Sequence, residues 1–244
     1  MTVSTPPHLC PLGPDGVLVR FSDRLEDPAN RAALAYRSAV DAMALPGVVE
    51  TATSLTSVFV RFRPDRVARA ALEDTLRETL HDRDWTDAAL PAGRTLWHIP
   101  AHFDGADAPD LEEIAELAGL SAKQAVTEVT GQSLRVLALG FAPGQPYLGF
   151  LPDHWNIPRQ TDVTPKVPRG AVVVAVRQVI PFANPSPTGW RQIGRTAFRC
   201  YAPDATPPLP LKAGDEIRFA AVSSVELAKL ENDPRGGADT EALP

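Results

Sequence analysis

The chain has 244 residues, 44% hydrophobic and 22% charged, enough for one large core or two modest ones and too apolar for a disordered polymer. A formal net charge of −6 and a pI of about 5.4 give it no general attraction for phosphate backbones, so nucleic acid is not an expected partner. Two cysteines without a CxxC or Cys/His cluster argue against a zinc site, and no secretory signal or apolar run of roughly 20 residues is present, so the expectation is a soluble, cytoplasmic protein with no membrane partner.

A strand is expected at residues 17–21, after the turn at Pro14-Asp15-Gly16. An alanine-rich helix should cover 30–44 and stop at Pro46-Gly47. Two strands at 48–53 and 57–62 precede a second helix at 65–80, whose Val67, Leu72 and Leu76 share one side. This β-α-β-β-α order suits a small sheet with helices on one face. Residues 84–94 read as a linker.

Beyond it come a strand at 95–100 and short helices at 110–118 and 121–129, the second N-capped by Ser121. The apolar run 134–139 reads as a buried strand. Most of the 25 prolines crowd between Pro143 and Pro210, which favours short strands and ordered loops there. Strands at 171–176, 191–200 and 216–222, joined by irregular loops, suggest a barrel. The polar end of the chain reads as a flexible tail. The boundaries are therefore 1–92, 93–225 and a tail at 226–244.

Three segments carry candidate chemistry. The loop from Gly140 to Pro152 is too rich in glycine and proline for helix or strand. Its aromatics either line a binding site or plug one end of a barrel. Arg159, Lys166 and Arg169 stand beside prolines on stiff backbone, either aimed at an anion or simply solvated. In the third, Gly189 and Gly194 allow close backbone approach, Trp190 offers a flat wall and Arg195 a bidentate fork; a core tryptophan beside a surface arginine is equally consistent. No histidine pair has metal-ligand spacing, and no nucleotide-binding glycine loop is present. Asp104, Asp107 and Asp110 read as acids at a helix start.

Taken together and in order, these segments resemble the subunit 1 family of allophanate hydrolase and 5-oxoprolinase, which includes Kip-type sensor-kinase inhibitors and is related to the carboxyltransferase domain of urea carboxylase. The resemblance rests on Pro109-Asp110-Leu111-Glu112, on Gly140 to Leu151, on Pro158-Arg159, on Val167-Pro168-Arg169-Gly170, on Ser186 to Thr196, and on Ala213 to Phe219. It implies an α+β chain, with a small N-terminal α/β sandwich domain followed by a cyclophilin-like β-barrel. It implies a subunit of an ATP-dependent amide hydrolase that opens 5-oxoproline to glutamate. ATP and a divalent cation would be bound jointly with a homologous second subunit. Arg159, Lys166 and Arg195 would take the catalytic anion role, and Tyr147, Gly149, Gly189, Trp190 and Thr196 would bind substrate; this chain shows no metal-ligating set of its own. Gln145, Phe182 and Thr188 depart from the family pattern, Thr188 placing a side chain where backbone approach was open. The departures keep two alternatives in view, a subunit acting on another amide or urea-type substrate and a non-catalytic inhibitor of a histidine kinase.

Overall fold

A computed structural model of the chain describes residues 6–244; the first five residues of the stretch searched for a secretory signal lie outside the described residues. The chain divides into two compact units, one ending at Ala92 and the other running from Gly93 to Pro244.

In the first unit, strands β1 (His8–Leu12) and β2 (Gly16–Arg20) precede helix α1 (Asp27–Ala42), strands β3 (Val48–Ser54) and β4 (Ser57–Phe62), and helix α2 (Arg69–His81). The strands pair antiparallel in the order β1-β2-β4-β3. Val17 pairs with Val60 and Val19 with Val58, so the period-2 pattern buries all four on one face. Tyr36 and Val40 of α1 and Leu72 and Leu76 of α2 complete that core. Each such side chain contributes about 1.5–3 kcal/mol by leaving water.

Three expectations change here. β1 adds a strand that its short, proline-bearing sequence did not announce. Helix α1 starts three residues early because Pro28 falls in the first turn, where its missing N–H costs nothing. The segment read as a linker is anchored to the core: Trp85 is buried, donates from Nε1 to the Leu80 carbonyl at 3.1 Å, and meets Tyr36 edge-on.

The second unit contains β5 (Thr95–His102), α3 (Leu111–Leu117), α4 (Ala122–Gly131), β6 (Leu134–Leu139), β7 (Pro146–Gly149), β8 (Thr164–Val167), β9 (Ala171–Ala175), β10 (Gln178–Pro181), β11 (Ser186–Thr188), β12 (Arg191–Thr196), β13 (Glu216–Ala221), α5 (Ser224–Leu230) and β14 (Asp239–Ala242). Seven strands close on themselves in the order β6-β13-β5-β12-β9-β10-β7, with β7 returning to β6, so the barrel leaves no free edge. The β5–β13 pair is parallel and the other pairs are antiparallel. One cluster takes residues from all seven strands, among them Ile99, Leu134, Leu148, Val174, Val179, Ile193 and Ile217, and therefore fills the interior. Apolar faces of α3 and α4 join it through Ile114 and Val129. A capping box starts α4: Ser121 Oγ accepts from Gln124 N while Gln124 Oε1 accepts from Ser121 N.

The expected flexible tail is corrected. Helix α5 begins with Ser223 Oγ accepting from Glu226 N, and β14 adds four residues antiparallel to β5. Asp233 Oδ1 accepts from the backbone N–H groups of Arg235 and Gly237 and fixes the turn between them. The polar composition of this segment reflects its position on the outside of the barrel, where β14 is exposed throughout. Truncation after Leu230 should therefore destabilise the barrel by about 2–4 kcal/mol, the value of a few ladder hydrogen bonds. Urea unfolding followed by circular dichroism checks this, and an unchanged midpoint would restore the flexible reading.

Candidate functional site

Strand β9 is buried along its whole length. Val172 and Val174 point into the barrel, whereas Ala171, Val173 and Ala175 face outward. The outward face is covered by a two-stranded ribbon of β8 and β11. Val167, Ile180, Phe182 and Trp190 form with it a second apolar layer, against which Tyr147 packs.

Five of the sequence candidates gather around this ribbon. Tyr147 and Trp190 meet edge-on, with ring centroids 6.4 Å apart. The Arg159 guanidinium lies 5.2 Å from the centre of the Trp190 ring, within the range of a cation–π contact. Gly189 lets the segment carrying Arg159 run alongside: Gln160 N donates to Gly189 O at 2.7 Å, and a Cβ on Gly189 would lie 3.3 Å from Gln160 O. Lys166 projects from β8 and is exposed. Neither Arg159 nor Lys166 pairs with a carboxylate among the described residues. An aromatic wall with two uncommitted cations can hold a flat group and an anion together.

Arg195 belongs to a different constellation. It stands opposite Ala171 and His102 in the ladder. Its Nε donates to Asp107 Oδ1 at 2.6 Å, and a terminal nitrogen donates to Glu231. Asp107 Oδ2 lies 2.9 Å from His102 Nδ1, and Glu231 also meets Arg169. Burial works to raise the Asp107 carboxyl, but hydrogen bonds from Arg195 and His102 outweigh it and hold the group below the usual carboxylate range. Burial likewise opposes the Arg195 charge, and the bonds to Asp107 and Glu231 overcome it. Gly149 and Thr196 are filled by the protein itself. A Cβ on Gly149 would lie 2.5 Å from Leu137 Cδ1. The Thr196 hydroxyl donates to the Pro100 carbonyl at 2.7 Å and accepts from Phe198 N.

The three acids near α3 do more than start a helix. Asp104 accepts from Gly105 N, Asp107 joins the Arg195 network, and Asp110 Oδ2 accepts from Gln192 N at 2.7 Å. Spacing gave no sign of the last two roles, because their partners lie more than 80 residues away.

All three departures from the family pattern are buried. Gln145 Oε1 accepts from Ala183 N and ties two loops together. Phe182 completes the outer layer and donates its N–H to Ala171 O. Thr188 was expected to narrow the approach of a ligand; its hydroxyl instead accepts from Trp190 N at 3.0 Å and fixes the backbone that carries the ring. The loop aromatics serve neither sequence reading alone: Tyr147 packs on the outer layer, while Phe141 is 75% exposed at a positive φ of 67°. Cys200 is no nucleophile, since burial pushes its thiol up to about 12. Among the described residues, no three His, Cys, Asp or Glu side chains are arranged to hold a metal ion, and no helix is long and apolar enough to cross a membrane.

A family model described as the carboxyltransferase domain, subdomains C and D, matches residues 7–211. The B subunit of 5-oxoprolinase from Bacillus subtilis (strain 168) is 28% identical over 226 residues, covering 87% of this chain and 91% of the relative. Its counterpart in Escherichia coli O157:H7 is 34% identical over 187 residues, covering 75% of this chain and 83% of the relative. Among solved structures, TTHA0988 superposes with a TM-score of 0.71 at 30% identity over 86% of this chain; the match spans 40% of that longer chain.

The Arg195 network yields a stability prediction. Arg195→Ala leaves Asp107 and Glu231 without their shared cation, at a cost of about 1–2 kcal/mol for a part-buried pair. The folded Asp107 carboxyl titrates below its unfolded value of about 3.9, so its contribution is complete above that pH and fades as pH falls through the lower folded value. Urea midpoints of wild type and Arg195→Ala should accordingly differ at pH 7 and converge as the pH falls through the lowered value of the folded Asp107 carboxyl. A gap that does not change with pH would show that Asp107 is not the coupled acid.

Proposed function

The chain belongs to the carboxyltransferase-domain family of subdomains C and D, together with the B subunits of 5-oxoprolinase, and from that membership we propose that it is one subunit of a heteromeric, ATP-dependent cyclic-amide hydrolase opening 5-oxoproline to glutamate. It acts with a homologous second subunit. The observation that carries this reading is the pairing of the Tyr147–Trp190 wall with two cations, Arg159 and Lys166, that no carboxylate among the described residues neutralises.

The chemistry sets the requirement. A five-membered lactam is an unactivated amide, and its opening to the amino acid is unfavourable without coupling. Transfer of the ATP γ-phosphoryl group to the lactam carbonyl oxygen activates that carbon, and attack by water then opens the ring and releases phosphate. Such a path needs fixed positive charge where phosphate oxygens crowd together. In this reading Arg159, stacked on Trp190, and Lys166, on the ribbon edge, supply it. Tyr147 and Trp190 shape the wall against which the lactam ring lies. In the same reading the nucleotide and its divalent cation are bound jointly with the second subunit. A second reading, another amide or urea-type substrate, is favoured by one observation: Arg195, the third cation expected at the site, is held by Asp107 and Glu231.

The test is ADP release by the co-purified two-subunit complex. 5-Oxoproline should stimulate it, and Arg159→Gln or Lys166→Gln should lower kcat/KM by about 10- to 100-fold while the complex still assembles. A well-formed complex whose ADP release ignores 5-oxoproline but responds to another amide would transfer the assignment to the second reading.

A further inference from the structure

A cavity of about 240 Å³ lies in the second unit, and neither Tyr147 nor Trp190 lines it. Its floor is aromatic: Trp97 and Phe198 are buried, with ring centroids 5.6 Å apart and planes inclined at 59°. The Trp97 indole is held from behind by Asp215, whose Oδ2 accepts from Nε1 at 3.4 Å. Pro207 and Pro210 supply stiff walls, which need little ordering when a ligand enters.

Arg199 and Arg235 complete the lining. Elsewhere in this unit Arg94, Arg169, Arg177, Arg191 and Arg195 each reach a carboxylate. Arg199 and Arg235 form no such ion pair among the described residues. Asp233, the nearest acid in sequence to Arg235, feels the Arg235 charge without forming an ion pair with it, and its Oδ1 accepts from the backbone N–H groups of Arg235 and Gly237. Arg235 also lies beyond residue 211, where the family match ends, so part of this pocket is not specified by the shared family pattern.

An apolar pocket with a few convergent polar groups is the usual form of a small-molecule site. An aromatic floor selects a flat ring by offset or edge contact, and a guanidinium fork selects a carboxylate. We infer that this cavity binds a small aromatic carboxylate, with its ring on Trp97 and Phe198 and its carboxylate between Arg199 and Arg235. The site is separate from the one proposed for amide hydrolysis, and neither assignment depends on the other.

The probes are 3-phenylpropionate and its neutral isostere 3-phenylpropanamide, titrated into the full chain and followed by amide and indole NMR shifts. The carboxylate should bind saturably, about tenfold more tightly than the amide, with shifts at the Trp97 indole and residues 199–210. The Arg199→Gln/Arg235→Gln double variant should bring the carboxylate down to the affinity of the amide. Ala205→Trp, which fills the cavity from an exposed loop position, should abolish both. Equal affinities of the two probes, shifts that map away from Trp97, or no saturable response to the carboxylate up to about 10 mM would each overturn the inference. The comparison of the two probes on wild-type protein stands even if a variant fails to fold.

Discussion

The second unit depends on one strand that has no solvent face. β9 is buried from Ala171 to Ala175, with alternate side chains in the barrel interior and in the outer layer. A strand buried on both faces must satisfy its backbone through ladder partners, and β9 does so with β10 on one side and β12 on the other. Its outer face then needs an apolar cover, which the β8–β11 ribbon provides. That cover is what brings Trp190, Tyr147, Arg159 and Lys166 into one neighbourhood. The candidate site is thus a consequence of how the barrel hides its most apolar strand.

Glycines make the close approaches that this arrangement needs. At Gly170, with φ of +79°, a Cβ would lie 2.0 Å from Thr196 O, so the turn entering β9 can press against β12. At Gly144, with φ of +71°, a Cβ would lie 2.1 Å from Cys200 O, which seats the proline-rich loop on the barrel. The Gly-Arg-Thr run in β12 serves the same framework. Thr196 bonds the backbone of β5, and Arg195 collects acids from the β5–α3 connection and from the end of α5. Charge is accordingly sorted by location. Arginines that brace the barrel are neutralised by acids, whereas Arg159, Arg199 and Arg235 stand beside aromatic surface, at Trp190 and at Trp97–Phe198.

This sorting bears on how far chemistry can diverge within the family. Gln145, Phe182 and Thr188 change the pattern of the site loops, yet each one is absorbed into packing or a backbone hydrogen bond. Thr188 is the clearest case, because the hydroxyl that was expected to intrude instead bonds the backbone N–H of Trp190. Residue differences on such loops therefore alter how the wall is held as well as what the wall contacts.

Much of the framework was legible in the sequence, for local reasons. The turn at Pro14-Asp15-Gly16 marked β2, proline and glycine marked the helix stop after α1, and Ser121 marked the start of α4. The ordered motifs from Gly140 to Thr196 identified the family, since glycine, proline and arginine at fixed spacing reflect backbone constraints that travel with the chain. The short strands β7, β8, β10 and β11 were not legible, because three or four residues broken by proline carry no period. β14 was hidden by its polar, exposed sequence. Tertiary structure alone decided which arginines are committed and which are free. Arg159 and Arg195 are alike in type and motif, but ion pairing acts through space, and the acids that claim Arg195 lie 88 and 36 residues away along the chain.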